Sequence, residues 1–433
     1  MDITTIGFLT IIGMLFFMMM GVPIAYSLGF CGLVAGLVAY GSGCLPKLGW
    51  TPFHFLFNLS WTPLPLFVLL GTVVGETGIG RDLFKALRNW LSRVRGGLVV
   101  AGIFGEAAMA SVIGTSAATV IVVGKVAVPE FERYGYNRKL GLGALLAGGV
   151  LGPLIPPSAT MIVYSVLAEL SLGRLFIAGI LPGILLAVML ALPVLVICWI
   201  KPHLGPSAGS VSWGDRFSSL KKIWPVVLVM LCILGSIYMG VATPTEAAGF
   251  GCVIVIIIAV AFFGLRWNGL REAMIEAVVV NSMIMLILVG GSYFTYMIGS
   301  ANIAKYLYNV VEVFGLAPWQ VIISINIILL ILGCLIDPLT IVLLTVPIFV
   351  PLILQVGFDP LWFGIVFVIN AQIGLITPPM GIDLFAIKTI FNIPTGEILR
   401  GVTPFLIVEL IFLGLIIVFP QISLWLPGTM MGR

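Results

Sequence analysis

The sequence predicts an all-α, polytopic membrane protein made of two inverted-topology repeats, each with five transmembrane helices and one re-entrant hairpin. Three observations carry this. Of the 433 residues, 61% are hydrophobic and only 9% charged, against about a quarter charged in soluble domains, so lipid must be the solvent for much of the chain. Apolar runs of span length recur from end to end, as helices crossing a hydrocarbon layer about 30 Å thick require. Finally, the chain matches itself at an offset of 222 residues: Gly152, Pro156, Pro157, Gly179 and Pro182 fall without a gap on Gly374, Pro378, Pro379, Gly401 and Pro404. Upstream, Pro129, Gly135 and Tyr136 fall on Pro351, Gly357 and Phe358 in the same register, and Pro23 has a counterpart at Pro244, displaced by one.

The elements follow in order. Asp2 is the only charge before Lys47, and neither a basic n-region nor a small-residue cleavage site is present, so 3–20 reads as a retained first helix. Pro23 marks the turn into a second helix over 22–40, and a third covers 53–78. Segment 97–130 is too long for one helix and carries glycine near its middle, so it reads as a re-entrant hairpin. A broken helix over 139–170 and a helix over 175–200 complete repeat 1, residues 1–206. A polar linker over 207–221 joins the halves. Repeat 2, residues 222–433, has helices over 223–241, 246–264 and 273–299, and an interfacial helix over 301–315. A second hairpin over 317–352, a broken helix over 361–390 and a helix over 403–426 follow. Five crossings per half is an odd number, so the second half enters from the opposite face and the repeats are inverted.

Charge sets the orientation. The stretches 81–95, 125–139, 201–222, 266–271 and 388–400 hold 17 of the 21 Lys and Arg. All lie on one side of the predicted topology, which the positive-inside rule makes cytoplasmic. Both termini are then expected on the outer, periplasmic side. Trp50, Trp90, Trp224, Trp267, Trp319 and Trp425 sit near span ends, where indole favours the interface. The six cysteines form no CxxC pair and read as small buried hydrophobes. His54 and His203 belong to no HExxH pattern, which argues against a His-based metal site.

Backbone that is not helical is tolerated at membrane depth only where protein or a water-filled cavity satisfies it. Two hairpin tips, Gly114–Thr119 and Leu335–Thr340, and two Pro-Pro breaks, Gly152–Ser158 and Gly374–Pro379, cannot be simple helix. Carbonyls freed there, with Thr and Ser hydroxyls, make hard-oxygen sites suited to Na⁺, and opened helix N-termini suit an anion. One tip facing one break, repeated by symmetry, predicts two cation sites flanking one anion site. The candidates for the first Na⁺ site are Gly114, Thr115, Ser116, Thr119, Gly152, Pro153, Pro156 and Ser158. Those for the second are Asp337, Pro338, Thr340, Gly374, Thr377 and Pro378. The anion candidates are Ser116, Ser158, Thr160, Thr340, Pro379, Gly381 and Asp383. No cofactor is expected beyond Na⁺ as coupling ion.

Ionisable groups at depth are costly and usually functional. Asp337 has two readings, a cation-site or gating residue and a cap of the hairpin helix. Asp383 either faces the same cavity or stabilises an opened helix. Glu106 and Glu409 read as structural carboxyls, neutral or hydrogen-bonded, and Glu246 as a helix cap after Thr243-Pro244-Thr245.

The stretches GVPIAYSLG (21–29), ERYGYNRKLG (132–141), GPLIPPSATMIVY (152–164), ATPTEAAG (242–249), LIDPLTIVLLTVPIFVP (335–351) and GLITPPMGIDLF (374–385) together resemble a known family. It is the large membrane (DctM-like, M) subunit of the tripartite ATP-independent periplasmic (TRAP) transporters, and the likeness covers nearly the whole chain. The resemblance implies a bacterial inner-membrane, elevator-type carrier of the ion-transporter superfamily, driven by a Na⁺ gradient. The hairpins and broken helices would form the moving domain, and helices within 3–78 and 223–299 the scaffold. It also implies a small four-helix membrane subunit (Q-type) and a periplasmic substrate-binding protein (P-type). No extra four-helix segment is evident, so the small subunit is expected as a separate polypeptide. Substrates would be organic acids, such as C4-dicarboxylates, sialic acids, other carboxylates or sulfonates. By position, the two tip-and-break pairs match the family's sodium-binding regions. Neither tip carries the Ser-Asn-Thr motif of single-chain dicarboxylate/sodium symporters.

Within transport, the alternative is a stand-alone Na⁺-coupled organic anion symporter or antiporter needing no binding protein. An intramembrane enzyme is disfavoured by the lack of HExxH, of a paired catalytic aspartate pattern and of a histidine base at depth. A passive scaffold would not need two matched pairs of broken segments, and nothing points to nucleic acid.

Overall fold

The computed structural model describes residues 2–378, 381–391 and 394–430, apart from the side chains at 382, 386 and 390. Every regular element among them is helical. Seven helices are long and apolar enough to cross a membrane, or up to nine if two sharply bent pairs each count as one span, among the described residues. One of these is Pro338–Val356, an arm of the second predicted hairpin, so eight of the ten predicted crossings are matched; the helices covering 3–20 and 361–376 fall short because they have only 17 residues each, roughly 25 Å of helix against a core of about 30 Å.

The chain begins with α1 (Ile3–Met19) and α2 (Ile24–Tyr40), and a 3₁₀ turn leads into α3 (Leu45–Leu56). The single helix predicted over 53–78 is corrected here. The chain leaves α3 at Phe57, Asn58 Oδ1 accepts from the Ser60 N–H at 2.9 Å to start a new turn, and α4 (Pro63–Gly75) restarts on a proline. Proline lacks the N–H that a helix start leaves unpaired, so the restart falls there. The basic stretch after it is also helical. In α5 (Ile79–Leu91), Ile79, Leu83 and Ala86 are buried at helical spacing while Arg81 and Lys85 are exposed, and α5 bends 67° away from the helix before it.

Next come α6 (Gly97–Ile113) and α7 (Ser116–Arg133), an antiparallel pair joined by two residues, then α8 (Arg138–Gly148), the short α9 (Leu151–Leu154) and α10 (Ala159–Leu167). The axis bends by 41° between α8–α9 and α10. The 29-residue α11 (Leu172–Ile200) closes the half.

The linker is not a free polar tether. It docks on the base of the α6–α7 pair through Gly96 N–H to Gly205 C=O, Asn137 N–H to Leu204 C=O and Ala208 N–H to Ser92 C=O, each 2.9 Å. It also contains a helix, α12 (Trp213–Leu220), which packs on α5. There the Trp90 indole donates to the Arg216 carbonyl at 3.3 Å, and the Trp213 and Phe217 rings pack on it. Apolar and aromatic residues inside a polar stretch explain the docking.

The second half opens with α13 (Trp224–Met230), a π turn and α14 (Ser236–Tyr238), then α15 (Pro244–Phe263). Glu246 caps α15 as predicted: its carboxylate accepts from the Thr243 N–H at 2.8 Å, and Thr243 Oγ1 accepts from the Glu246 N–H at 3.3 Å. The 34-residue α16 (Trp267–Ser300) runs along α2, the two approaching through Gly29 and Gly290. After α17 (Ile303–Val313) come α18 (Pro318–Gly333) and α19 (Pro338–Val356), then α20 (Pro360–Ile376), α21 (Ile382–Phe391), α22 (Thr395–Val418) and α23 (Gln421–Gly428). The order of a helix pair followed by an interrupted helix thus occurs once in each half.

Burial sorts the helices. Every residue of α20 from Leu361 to Ile376 is buried, and most of α6 and α19 is buried too. Apolar all round and buried all round, these helices form the interior of the protein. In contrast, α1, α2, α15 and α16 expose Phe16, Phe30, Phe250, Ile257 and Val278. Such faces are suited to lipid or to another membrane protein, because in lipid an apolar side chain is solvated.

Candidate functional site

The first tip rests on the first break. Between α6 and α7 stand only Gly114 and Thr115. Gly114 has φ +73, a left-handed conformation that glycine adopts without strain, and a Cβ there would land on the Pro157 carbonyl oxygen. Reciprocally, a Cβ on Gly152 would come within 2.8 Å of the Thr115 carbonyl oxygen. Ser158 Oγ accepts from the Met161 N–H at 3.2 Å and caps α10. Thr119 Oγ1 donates to the Thr115 carbonyl at 2.7 Å. The carbonyls of Ile155, Pro156 and Pro157 accept no hydrogen bond from any described residue.

The second pair repeats the arrangement with different chemistry. A Cβ on Gly374, at the end of α20, would collide with the backbone of Gly333, at the end of α18. The connection Cys334–Asp337 leads to α19, whose N-cap is Asp337: Oδ1 accepts from the Thr340 N–H at 3.1 Å and Oδ2 from Thr340 Oγ1 at 2.5 Å. Capping is therefore one role that Asp337 does play, and its side chain is half-buried at the tip. The carbonyls of Cys334, Leu335 and Ile336 accept no hydrogen bond from any described residue. Thr377 Oγ1 donates to the Ile373 carbonyl at 2.6 Å. Pro338 opens α19, Pro153 lies in α9 and Pro378 is exposed.

The halves cross over between these pairs. The helix beyond the second break, α21, packs on α7, and α10, beyond the first break, packs on α19. At the first crossing Ser116 Oγ donates to Asp383 Oδ2, with Ser116 4% and Asp383 2% exposed. At the offset of 222, the corresponding residues of the other crossing are Pro338 and Met161, which cannot form such a bond. Gly381 (φ +49) turns the chain into α21, Thr160 and Thr340 are buried, and Pro379 lies outside the described residues.

Unpaired carbonyls in an apolar interior demand a partner. Bare main-chain oxygens with nearby hydroxyls fit a hard monovalent cation, and the first turns of α7 and α21, rich in unpaired N–H groups, fit an anion. The sequence does not reveal which side chains pair. Glu106 and Glu409 are fully buried, and neither makes a hydrogen bond to a described residue. Asn370 Nδ2 donates to Asn326 Oδ1 at 2.6 Å across the α18–α20 contact, a pair whose only sequence signal is two lone amides within apolar runs.

The family described as "Tripartite ATP-independent periplasmic transporter, DctM component" matches residues 11–422. The chain is 35% identical to the C4-dicarboxylate TRAP transporter large permease protein DctM of Pseudomonas aeruginosa, over 84% of this chain and 85% of that one. It is 29% identical to the sialic acid TRAP transporter large permease protein SiaM of Vibrio cholerae, over 98% and 99%. Among solved structures, the Alcanivorax borkumensis YdaH transporter is similar in fold, with a TM-score of 0.66 over 92% of this chain and 96% of that one, at 13% identity.

Proposed function

Because the chain belongs to the DctM component family of tripartite ATP-independent periplasmic transporters, we propose that it is the membrane-embedded transport subunit of such a carrier, taking up an organic acid anion on a Na⁺ gradient. The observation that carries this is the pair of tip-and-break contacts, each with three carbonyls unpaired among the described residues, together with the Ser116–Asp383 bond that joins α7 to α21. Na⁺ at the two pairs would satisfy those oxygens. Its charge, with the N-terminal turns of α7 and α21, would then draw an anion to the crossing. Binding would be sequential in effect, since an anion beside Asp383 is repelled until cations are in place. This supports co-transport of Na⁺ and anion, and no chemical transformation of the cargo.

In this reading the movement is of elevator type. The buried set from α6 to α10 and from α18 to α21 travels as one body, and α1, α2, α4 and α13–α16 stay as scaffold, with α1, α2, α15 and α16 presenting exposed apolar faces to the bilayer. The cargo is delivered by a periplasmic binding protein, and a separate four-helix subunit covers part of the scaffold. Both termini face the periplasm. The named relatives carry a C4-dicarboxylate and a sialic acid, and a carboxylate is the cargo class proposed here.

The test is uptake into proteoliposomes holding this chain, its small subunit and the loaded binding protein, with and without an inward Na⁺ gradient. Uptake that needs both the gradient and the binding protein is the expected result. Uptake indifferent to the binding protein would replace this reading with a stand-alone carrier, and uptake indifferent to Na⁺ would remove the role given to the tips.

A further inference from the structure

Glu106 lies on α6, two turns before the first tip, and plays no part in the site described. It is fully buried, and neither carboxylate oxygen has a hydrogen-bond partner among the described residues. The carboxylate abuts α8: a Cβ on Gly148 would collide with Oε2. Immediately beyond, a Cβ on Gly149 would stand 2.9 Å from Ser116 Oγ. Glu106 and the Ser116 hydroxyl therefore abut two adjacent glycines at the C-terminal end of α8, at the surface along which the hairpin packs on the broken helix.

The two halves treat this position differently. Aligning the ends of α6 (Ile113) and α18 (Gly333) sets Glu106 against Asn326, and the offset of 222 sets Gly148 against Asn370. In the second half the contact is closed by two neutral amides bonded to each other, Asn370 Nδ2 to Asn326 Oδ1 at 2.6 Å and to the Asn326 carbonyl at 3.2 Å. In the first half an acid faces a glycine. A buried carboxylate without a partner is very costly as an anion, and a bound proton removes that cost. A metal cation would need several oxygen ligands, and no group of three or more His, Cys, Asp or Glu that could hold one occurs among the described residues.

We propose that Glu106 is a proton-binding site of the carrier, filled while the α6–α7 hairpin is packed on α8 and exchanged with water when that contact opens. Proton binding is then linked to the transport cycle, in addition to any cation at the tips. The inference rests on the transporter reading above. The surroundings are otherwise poor in charge. Helices α4, α9 and α13 carry no ionisable residue, and the charges of α5, α7, α8 and α11 are exposed or half-buried. Tyr136 meets the far end of α6 at the Leu98 N–H. The acid that α21 brings to this side is Asp383, bonded to Ser116 Oγ beside Gly149.

Two measurements test this. Infrared spectra of the purified chain at neutral pH should show carbonyl absorption of protonated carboxyls, with the Glu106 component lost in Glu106→Gln and kept in Glu106→Asp, while that of the equally buried Glu409 remains in both. Uptake in proteoliposomes at fixed Na⁺ gradient should vary with pH in the native chain and become at least several-fold less pH-sensitive in Glu106→Gln, which remains neutral and nearly isosteric. An unchanged band in Glu106→Gln overturns the proton site, and an unchanged pH profile overturns its link to transport. The spectra need no cargo or Na⁺, so they decide Glu106 even if Na⁺-driven uptake is not found.

Discussion

The Ser116 hydroxyl donates to the Asp383 carboxylate across 267 residues of sequence, joining the first turn of α7 to the first turn of α21. No equivalent bond is possible at the matching crossing of α10 and α19. This makes the Ser116–Asp383 contact the polar link between the halves at the point where two helix N-termini meet, and Asp383 is held where the positive end of α21 favours a carboxylate.

Ser116→Ala would leave a buried carboxylate short of one donor, and Asp383→Asn would remove its charge with little change in shape. A hydrogen bond to a charged group contributes about 1.5–3 kcal/mol, so each variant should lower initial uptake roughly 10- to 100-fold if the bond is made only in the competent state. Initial rates at saturating Na⁺ check this. Rates within twofold of the native chain would show that the crossing is structural padding.

Gly374→Ala should force the second tip away from its break, because the added methyl meets the Gly333 backbone. Overpacking of this kind costs about 1–3 kcal/mol. The expected outcome is a lower melting temperature and a smaller stabilisation by added Na⁺, read by thermal unfolding with and without the ion. An undiminished Na⁺ effect would count against a cation site at this contact.

Asp337 separates its two roles by substitution. Asparagine keeps an N-cap oxygen for the Thr340 N–H but not the charge, whereas alanine loses both, at about 1 kcal/mol for the cap. Asp337→Asn should fold with near-native stability and need several-fold more Na⁺ for half-maximal uptake. If Asp337→Asn matches the native Na⁺ requirement while Asp337→Ala is merely less stable, capping is its whole contribution.

The Asn326–Asn370 pair should behave as a coupled unit. Asn326→Leu leaves the Asn370 amide buried and unpaired, costing about 1–3 kcal/mol. Replacing both by leucine removes the unpaired group, so the double variant should melt above the Asn326→Leu single variant. Additive losses in a double-mutant cycle would mean that the two amides act independently.

Much of the helical plan was legible in the sequence, because it depends on local backbone chemistry. Proline and glycine act where they stand, so Gly114, Pro156, Pro157, Pro338 and Pro378 mark interruptions that the structure also contains. The restart at Pro63 was hidden inside an apolar run that continues across it, and α5 and α12 were hidden because their charges resemble those of a loop. Amphipathic helices of that kind become visible only when the face they bury is known.

For the candidate site, the sequence alone determined which residues are available: four irregular segments, their hydroxyls, and a few acids at membrane depth. Tertiary structure decided which of them meet. Ser116 and Asp383 were both anion candidates, yet their bond follows from the crossing of α7 and α21, and only the packing shows that Glu106 lies against Gly148 with no hydrogen-bond partner among the described residues. Helix ends and breaks are set by each residue's own dihedral limits and by neighbours a turn away. A contact between residues hundreds of positions apart is set by where packed helices cross, and small residues such as Gly148, Gly152 and Gly374 determine how closely they approach.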